Sequence, residues 1–181
     1  MTAKRARVGS LPEDRSWFEA LFKAHWSSVH GLLFKLVGEH AEAEDLALEA
    51  FWRLYQHGSR LENGGARSAW LYRVATNLGL NALRGRKRRQ HYENQAGHWT
   101  IEENVPPDPP TELERKEQSK RIREVLAQMK PRSARLLILR HSGLSYNEVA
   151  AALGIAPGSV GTLLARAERE FEAKYRKVES R

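Results

Sequence analysis

Trp70, Arg73, Asn77, Asn81 and Arg84 follow one another at intervals of three, four, four and three residues, so on a helix they share one face. Their chemistry suits a nucleic acid: an Asn amide can pair two hydrogen bonds with adenine, an Arg guanidinium can grip guanine or phosphate, and a Trp ring can stack on an unpaired base. A merely solvated helix can show a polar face of the same kind. Arg84, Arg86, Lys87, Arg88 and Arg89 then put five cations within six residues. One or two cations suit the carboxyl end of any helix, but five together repel one another unless an anionic chain runs past.

A second constellation lies near the carboxyl end, in LSYNEVAAALGIAPGSVGTLLARAEREF from Leu144. Ser145 and Glu148 have capping-box spacing, which predicts a helix start at Ser145. Ala150 is small where two helices would cross, Gly154 permits a tight turn, and Pro157 suits the first turn of the next helix because its missing N–H is not needed there. Val160, Leu164, Ala167 and Phe171 should face inward and Thr162, Ala165, Arg166 and Arg169 outward. An ordinary packed helix pair shares some of these features. The cap, Ala, Gly and Val together at these intervals point to a DNA-binding helix-turn-helix, with Arg166 the best candidate for a guanine or phosphate contact.

The elements that must position these residues are helical. Apolar residues recur at helical spacing from about Trp17 to Leu36, with Gly38 closing the segment, and again from about Ala41 to Gln56. A polar, Gly-rich loop from His57 to Ala66 precedes a third helix, about Arg67 to Arg84, whose expected inner face is Leu71, Val74, Leu78 and Ala82. From about Gln90 to Thr111 the periodicity stops, and four of the seven prolines fall in ENQAGHWTIEENVPPDPP, which reads as an extended acidic linker. Helical patterning resumes near Glu112 and runs to about Tyr175, broken at Lys130-Pro131, Ser142-Gly143 and Gly154. With no strand-like alternation, the expectation is an all-α fold of two small helical domains: a basic tail over 1–15, a first domain over 16–92, a linker over 93–111 and a helix-turn-helix domain over 112–181.

Composition narrows the function. Thirty Lys and Arg against 22 Asp and Glu give a net charge of +8 across 181 residues, which favours a polyanionic partner. The absence of Cys excludes disulfides, a thiolate zinc site and a thiol nucleophile. No secretory signal or apolar run of about 18 residues is present, so a cytoplasmic protein with no membrane insertion is expected. Glu39, Glu42, Glu44 and Asp45 beside His40 could be read as the metal site of an enzyme acting on nucleic acid. Acids at a helix start are commonly dipole partners, and no phosphate-binding Gly loop or nucleophile motif accompanies them. The expectation is therefore no catalytic residue, no metal and no cofactor.

Three blocks, FEALFKAHWSSVHGLLFKLVGEHAEAEDLALEAFWRLYQH, WLYRVATNLGLNALRGRKRR and GLSYNEVAAALGIAPGSVGTLLARAERE, resemble the extracytoplasmic-function (ECF) subfamily of sigma-70 RNA polymerase sigma factors in content, order and spacing. The resemblance implies a promoter-specificity subunit with core RNA polymerase (the clamp of its large subunit and the flap) and promoter DNA as partners, and an anti-sigma factor as regulator. It implies polymerase contacts at Asp45, Leu48, Glu49 and Arg53, with Leu48 standing where the family has Gln. Minus-10 contacts would fall on Trp70, Arg73, Asn77, Asn81, Arg84, Arg86, Lys87 and Arg88, with a flipped base held by the loop about Ser59 to Ala66. Minus-35 contacts would fall on Ser159, Thr162, Ala165, Arg166 and Arg169, where Gly161 and Leu163 replace common family arginines. The linker would thread toward the polymerase cleft, its acids mimicking RNA phosphates. A stand-alone helix-turn-helix regulator is the alternative; it accounts for Ser145 to Arg169 but not for the basic third helix or the linker.

Overall fold

The structure is a computed structural model that describes residues 16–95 and 110–180. Within them lie α1 (Ser16–Val37), α2 (His40–His57), a short 3-10 turn (Gly58–Arg60), α3 (Gly64–Gln95), α4 (Pro110–Gln128), α5 (Pro131–His141), α6 (Tyr146–Leu153) and α7 (Pro157–Glu179). Every regular element among the described residues is helical, as expected. The amino-terminal tail and nearly all of the expected linker lie outside them.

In the first domain α1 buries Val29, Leu32, Leu33, Leu36 and Val37, a stripe at helical spacing. Gly38 ends α1 in the left-handed region at φ 79°, where a side chain would be strained. Glu39 then caps α2, its carboxylate accepting from the amides of Ala41 (2.9 Å) and Glu42 (2.8 Å). Those two bonds hold the Glu39 carboxyl below its ordinary pKa. The buried stripe of α2 is Ala43, Ala47, Ala50, Phe51 and Leu54, small enough along most of its length for a close approach to α1.

The inner face of α3 differs from the sequence expectation. Leu71 is buried, but its companions are Tyr72, Ala75, Thr76, Leu80 and Leu83, whereas Val74, Leu78 and Ala82 are only partly buried. The reason is that α3 packs on α1 and α2 and also on α4, α5 and α6, so a one-stripe reading cannot apply. Thr76 is tolerated in the core because its hydroxyl donates to the Tyr72 carbonyl at 2.7 Å. At Gly79 an added Cβ would lie 2.6 Å from Leu36 Cδ1 and 3.0 Å from Leu33 Cδ2, which fixes where α1 crosses α3. The helix also runs well past Arg84, since Arg, Lys and Gln are good helix formers.

The second domain follows its sequence signals closely. Pro131 opens α5 and Gly143 closes the turn after it at φ 93°. Ser145 and Glu148 form the capping box: the Ser145 amide and hydroxyl donate to Glu148 Oε2 at 2.7 and 2.6 Å, and the Glu148 amide donates back to Ser145 Oγ. Gly154 ends α6 at φ 64° with its amide bonded to the Ala150 carbonyl, and Pro157 starts α7. The two helices meet at 89°, the angle of a helix-turn-helix. Val160, Leu164 and Ala167 are buried as expected, and Phe171 is partly buried against the core. No single helix among the described residues is long and apolar enough to cross a membrane.

Two outcomes follow for stability. Gly79→Ala should lower the urea midpoint, because overpacking against two buried leucines costs about 1–3 kcal/mol and exceeds the roughly 0.5–1 kcal/mol that Ala gains in a helix. Hydrogen bonding to Ser145 holds the Glu148 carboxyl below its ordinary pKa of 4.5, so its contribution is present above that pH and lost as pH falls through and below it. Urea unfolding should therefore show Glu148→Gln less stable than the parent chain at pH 7 and the difference shrinking as the pH drops below 4.5.

Candidate nucleic-acid interface

The outer face of α7 is open. Ser159, Thr162, Arg166 and Arg169 are exposed and Ala165 is half-buried, so the sequence-predicted contacts share one accessible surface on the second helix of the helix-turn-helix. Gly161 is partly exposed, and an added Cβ there would meet only Tyr146 Cε2 at an ordinary 3.7 Å, so packing does not impose the small residue. Sequence reasoning missed two neighbours of this surface. The exposed Tyr146 ring begins α6 beside Gly161, and the Arg140 guanidinium lies 5.6 Å from that ring's centroid, adding an aromatic and a cation to the edge of the face. Neither has periodic spacing with the α7 residues, so no sequence pattern could have grouped them.

The predicted face of α3 is less uniform. Asn81, Lys87 and Arg88 are exposed, while Trp70, Arg73, Asn77, Arg84 and Arg86 are half-buried. Trp70 sits beside the His57 ring, 6.1 Å between centroids. Asn77 accepts from Arg135 of α5 (3.2 Å), and Arg84 donates to the Met129 carbonyl after α4 (3.0 Å). Burial first, and the nearby Arg135 second, hold the Arg84 guanidinium below its ordinary pKa. Arg86 donates to the Val37 carbonyl at 2.7 Å and also bonds the Glu42 carboxylate. It thus ties α3 to the α1–α2 turn, a placement unlike that of the exposed Lys87, Arg88 and Arg89 beside it.

The segment leading into α3 is built by contacts among three helix ends. Asn63 Oδ1 accepts from the Ala66 amide at 2.9 Å, capping the start of α3. Arg67 donates to the Gly58 carbonyl at 3.0 Å and lies over the Trp17 ring at 4.3 Å. The expected loop, about Ser59 to Ala66, is therefore partly a 3-10 turn and partly the first turn of α3.

On α2 the expected contacts lie along one accessible strip. Asp45 and Arg53 are exposed, Leu48 is 47% exposed, and Glu49 is half-buried and paired with Arg53 at 2.7 Å. Sequence reasoning missed Trp52, one turn beyond Leu48 and 54% exposed, with its ring stacked on Tyr55. Its four-residue spacing from Leu48 was the available signal. Of the acids considered as a metal site, Glu39 caps α2 and Glu42 holds Arg86.

An open helix-turn-helix face and a basic, Asn-bearing helix on a separate helical domain define a DNA-binding transcription protein. Residues 21–89 match the family Sigma-70 region 2, and residues 119–171 match Sigma-70, region 4. The chain is 30% identical over 156 residues to the RNA polymerase sigma factor CarQ of Myxococcus xanthus, covering 86% of this chain and 85% of the relative. It is 25% identical over 170 residues to the ECF RNA polymerase sigma factor SigW of Bacillus subtilis, covering 90% and 91%. Its fold resembles that of the sigma factor RpoE in the complex with the anti-sigma factor NepR from Bartonella quintana, with a TM-score of 0.54 and 21% identity over 88% of this chain and 96% of that one. The chain belongs to the ECF subfamily of the sigma-70 family of RNA polymerase sigma factors. It is a non-enzymatic initiation factor that binds core RNA polymerase and promoter DNA, and the first-domain match removes the stand-alone regulator as a rival.

The placement of Arg86 separates two effects that the basic cluster would otherwise mix. Losing its bonds should cost about 1–2 kcal/mol, at the lower end for a charged hydrogen bond because both side chains are about a third exposed. Arg86→Ala should therefore lower the thermal midpoint. Neutralising Arg88 and Arg89 should leave it nearly unchanged and instead flatten the salt dependence of promoter binding.

Proposed function

We propose that this sigma factor divides its work among three faces. The strip Asp45, Leu48, Glu49 and Arg53, extended by Trp52, docks on the clamp of the large polymerase subunit. Trp70, Arg73, Asn77, Asn81 and Arg84 take up the unpaired minus-10 strand, with Lys87 and Arg88 along its phosphates. Ser159, Thr162, Ala165, Arg166 and Arg169 read the minus-35 duplex. The supporting observation is that the α2 strip in the first domain and the α7 face in the second are both accessible, so each can meet its own partner.

No bond chemistry is involved. Binding energy for extruded bases offsets the stacking lost on melting, and the segment 93–111 spans between domains 16–92 and 112–181. At the α2 strip Leu48 supplies apolar area where the family has an amide, so docking there rests more on burial and less on hydrogen bonds. The protein acts in the cytoplasm, where polymerase and promoters are. An anti-sigma factor is its regulator, a reading supported by the fold shared with a sigma factor solved in such a complex.

Gel filtration with bacterial core polymerase should give a stable complex, and transcription of genomic fragments by that complex should map the promoter. With the promoter in hand, Asn77→Ala with Asn81→Ala should change which minus-10 sequences are used, each lost adenine contact being worth about 1–3 kcal/mol. Failure to co-elute with polymerase would overturn the docking assignment, and unchanged promoter choice would overturn the minus-10 assignment.

A further inference from the structure

Between α2 and α3 the chain turns through residues 58–63, and the regular part of that turn is a single 3-10 stretch, Gly58–Arg60. Short 3-10 turns have poor hydrogen-bond geometry and depend on what surrounds them. The surroundings here are supplied by the first turn of α1. The Trp17 ring lies so close to Gly58 that a Cβ there would sit 2.6 Å from its Cη2. Arg67, in the first turn of α3, lies over the same ring at 4.3 Å and donates from Nε to the Gly58 carbonyl at 3.0 Å. That carbonyl also accepts from the Leu61 amide at 3.1 Å. Gly58 is buried, whereas Ser59, Arg60, Glu62 and Asn63 are exposed. One aromatic ring thus joins the start of α1, the end of α2 and the start of α3, and leaves the outer side of the turn open.

We infer that Trp17 is a positioning residue for minus-10 recognition: through Arg67 and Gly58 its ring holds residues 59–63 in the shape that receives an extruded base. The inference rests on α3 as the minus-10 reader and on this turn as the receiver of the base. Its place in the fold supports it. The ring of His57, the neighbour of Gly58 in the chain, is 6.1 Å from that of Trp70, so the turn stands at the Trp70 end of the reading face. A loop that must be ordered at the moment of binding weakens the complex by the entropy it loses. Gly64 and Gly65 follow the turn directly, and glycine loses more backbone freedom on ordering than any other residue. An anchor made before the base arrives removes that cost.

The chemistry of the anchor separates it from simple packing. Trp offers the best ring face for a cation, and a guanidinium can lie flat on that face while donating from its edge to a carbonyl. An ammonium has no plane with which to do both. Leu at position 17 would keep apolar contact but lose the face, whereas Phe would keep a face.

The full chain, bound to core polymerase, is titrated with single strands of the mapped minus-10 sequence that carry 2-aminopurine, or each ordinary base in turn, at the extruded position. The parent chain should change the 2-aminopurine emission and prefer one base. Trp17→Leu and Arg67→Lys should each reduce that preference about fivefold, the scale of one cation–π contact, and together no further than either alone. Trp17→Phe should keep most of it, and all these variants should retain polymerase and minus-35 duplex binding. A preference left intact by Trp17→Leu and Arg67→Lys overturns the inference. So does a loss of polymerase binding in step with base preference, because the ring would then merely support the domain. If Trp17→Leu does not fold, Arg67→Lys, which leaves the ring in place, decides by itself. A parent chain that shows neither emission change nor base preference overturns the reading of the turn as receiver, and the inference falls with it.

Discussion

At Gly79 the backbone of α3 passes directly under Leu33 and Leu36 of α1, and the rest of the molecule is arranged around that crossing. Interiors are close-packed, so a helix seated this tightly on one side has its rotation about its own axis decided. Ala75, Thr76, Leu80 and Leu83 then go inward, and Asn77, Asn81 and Arg84 are carried to the other sides. Which polar groups of α3 can meet a partner is thus a consequence of one missing side chain beneath α1.

The same helix serves as the wall between two domains. Its polar groups are handled in three ways: Thr76 is satisfied within the helix, Asn77 and Arg84 are satisfied across the seam, and Asn81, Lys87 and Arg88 face solvent. Buried polar groups require partners, so the first two sets are bonded wherever packing covers them. Arg86 shows how a cation in a basic run can be drawn into architecture. A free carbonyl at the end of α1 and the Glu42 carboxylate at the start of α2 lie within its reach, and it holds the turn between them.

The second domain contrasts with this. Its geometry is almost wholly local: a capping box at Ser145, a left-handed Gly154 and Pro157 opening α7. Local signals of this kind act over a few residues and need little tertiary support.

By itself the sequence determined the all-helical class, the helix-turn-helix with its cap, turn and inward residues Val160, Leu164 and Ala167, and the family. These rest on periodicity, capping chemistry and motif order, all written in neighbouring residues. Tertiary structure alone decided the inner face of α3, where Val74 and Leu78 gave way to Tyr72 and Thr76 because two domains cover the helix and single-stripe periodicity presumes one. It alone set Arg86 against Val37 and Glu42, brought Tyr146 beside Gly161, and joined Asn77 to Arg135 across 58 positions of chain. Contacts of that kind depend on how whole helices cross, and no pattern of residue spacing encodes them.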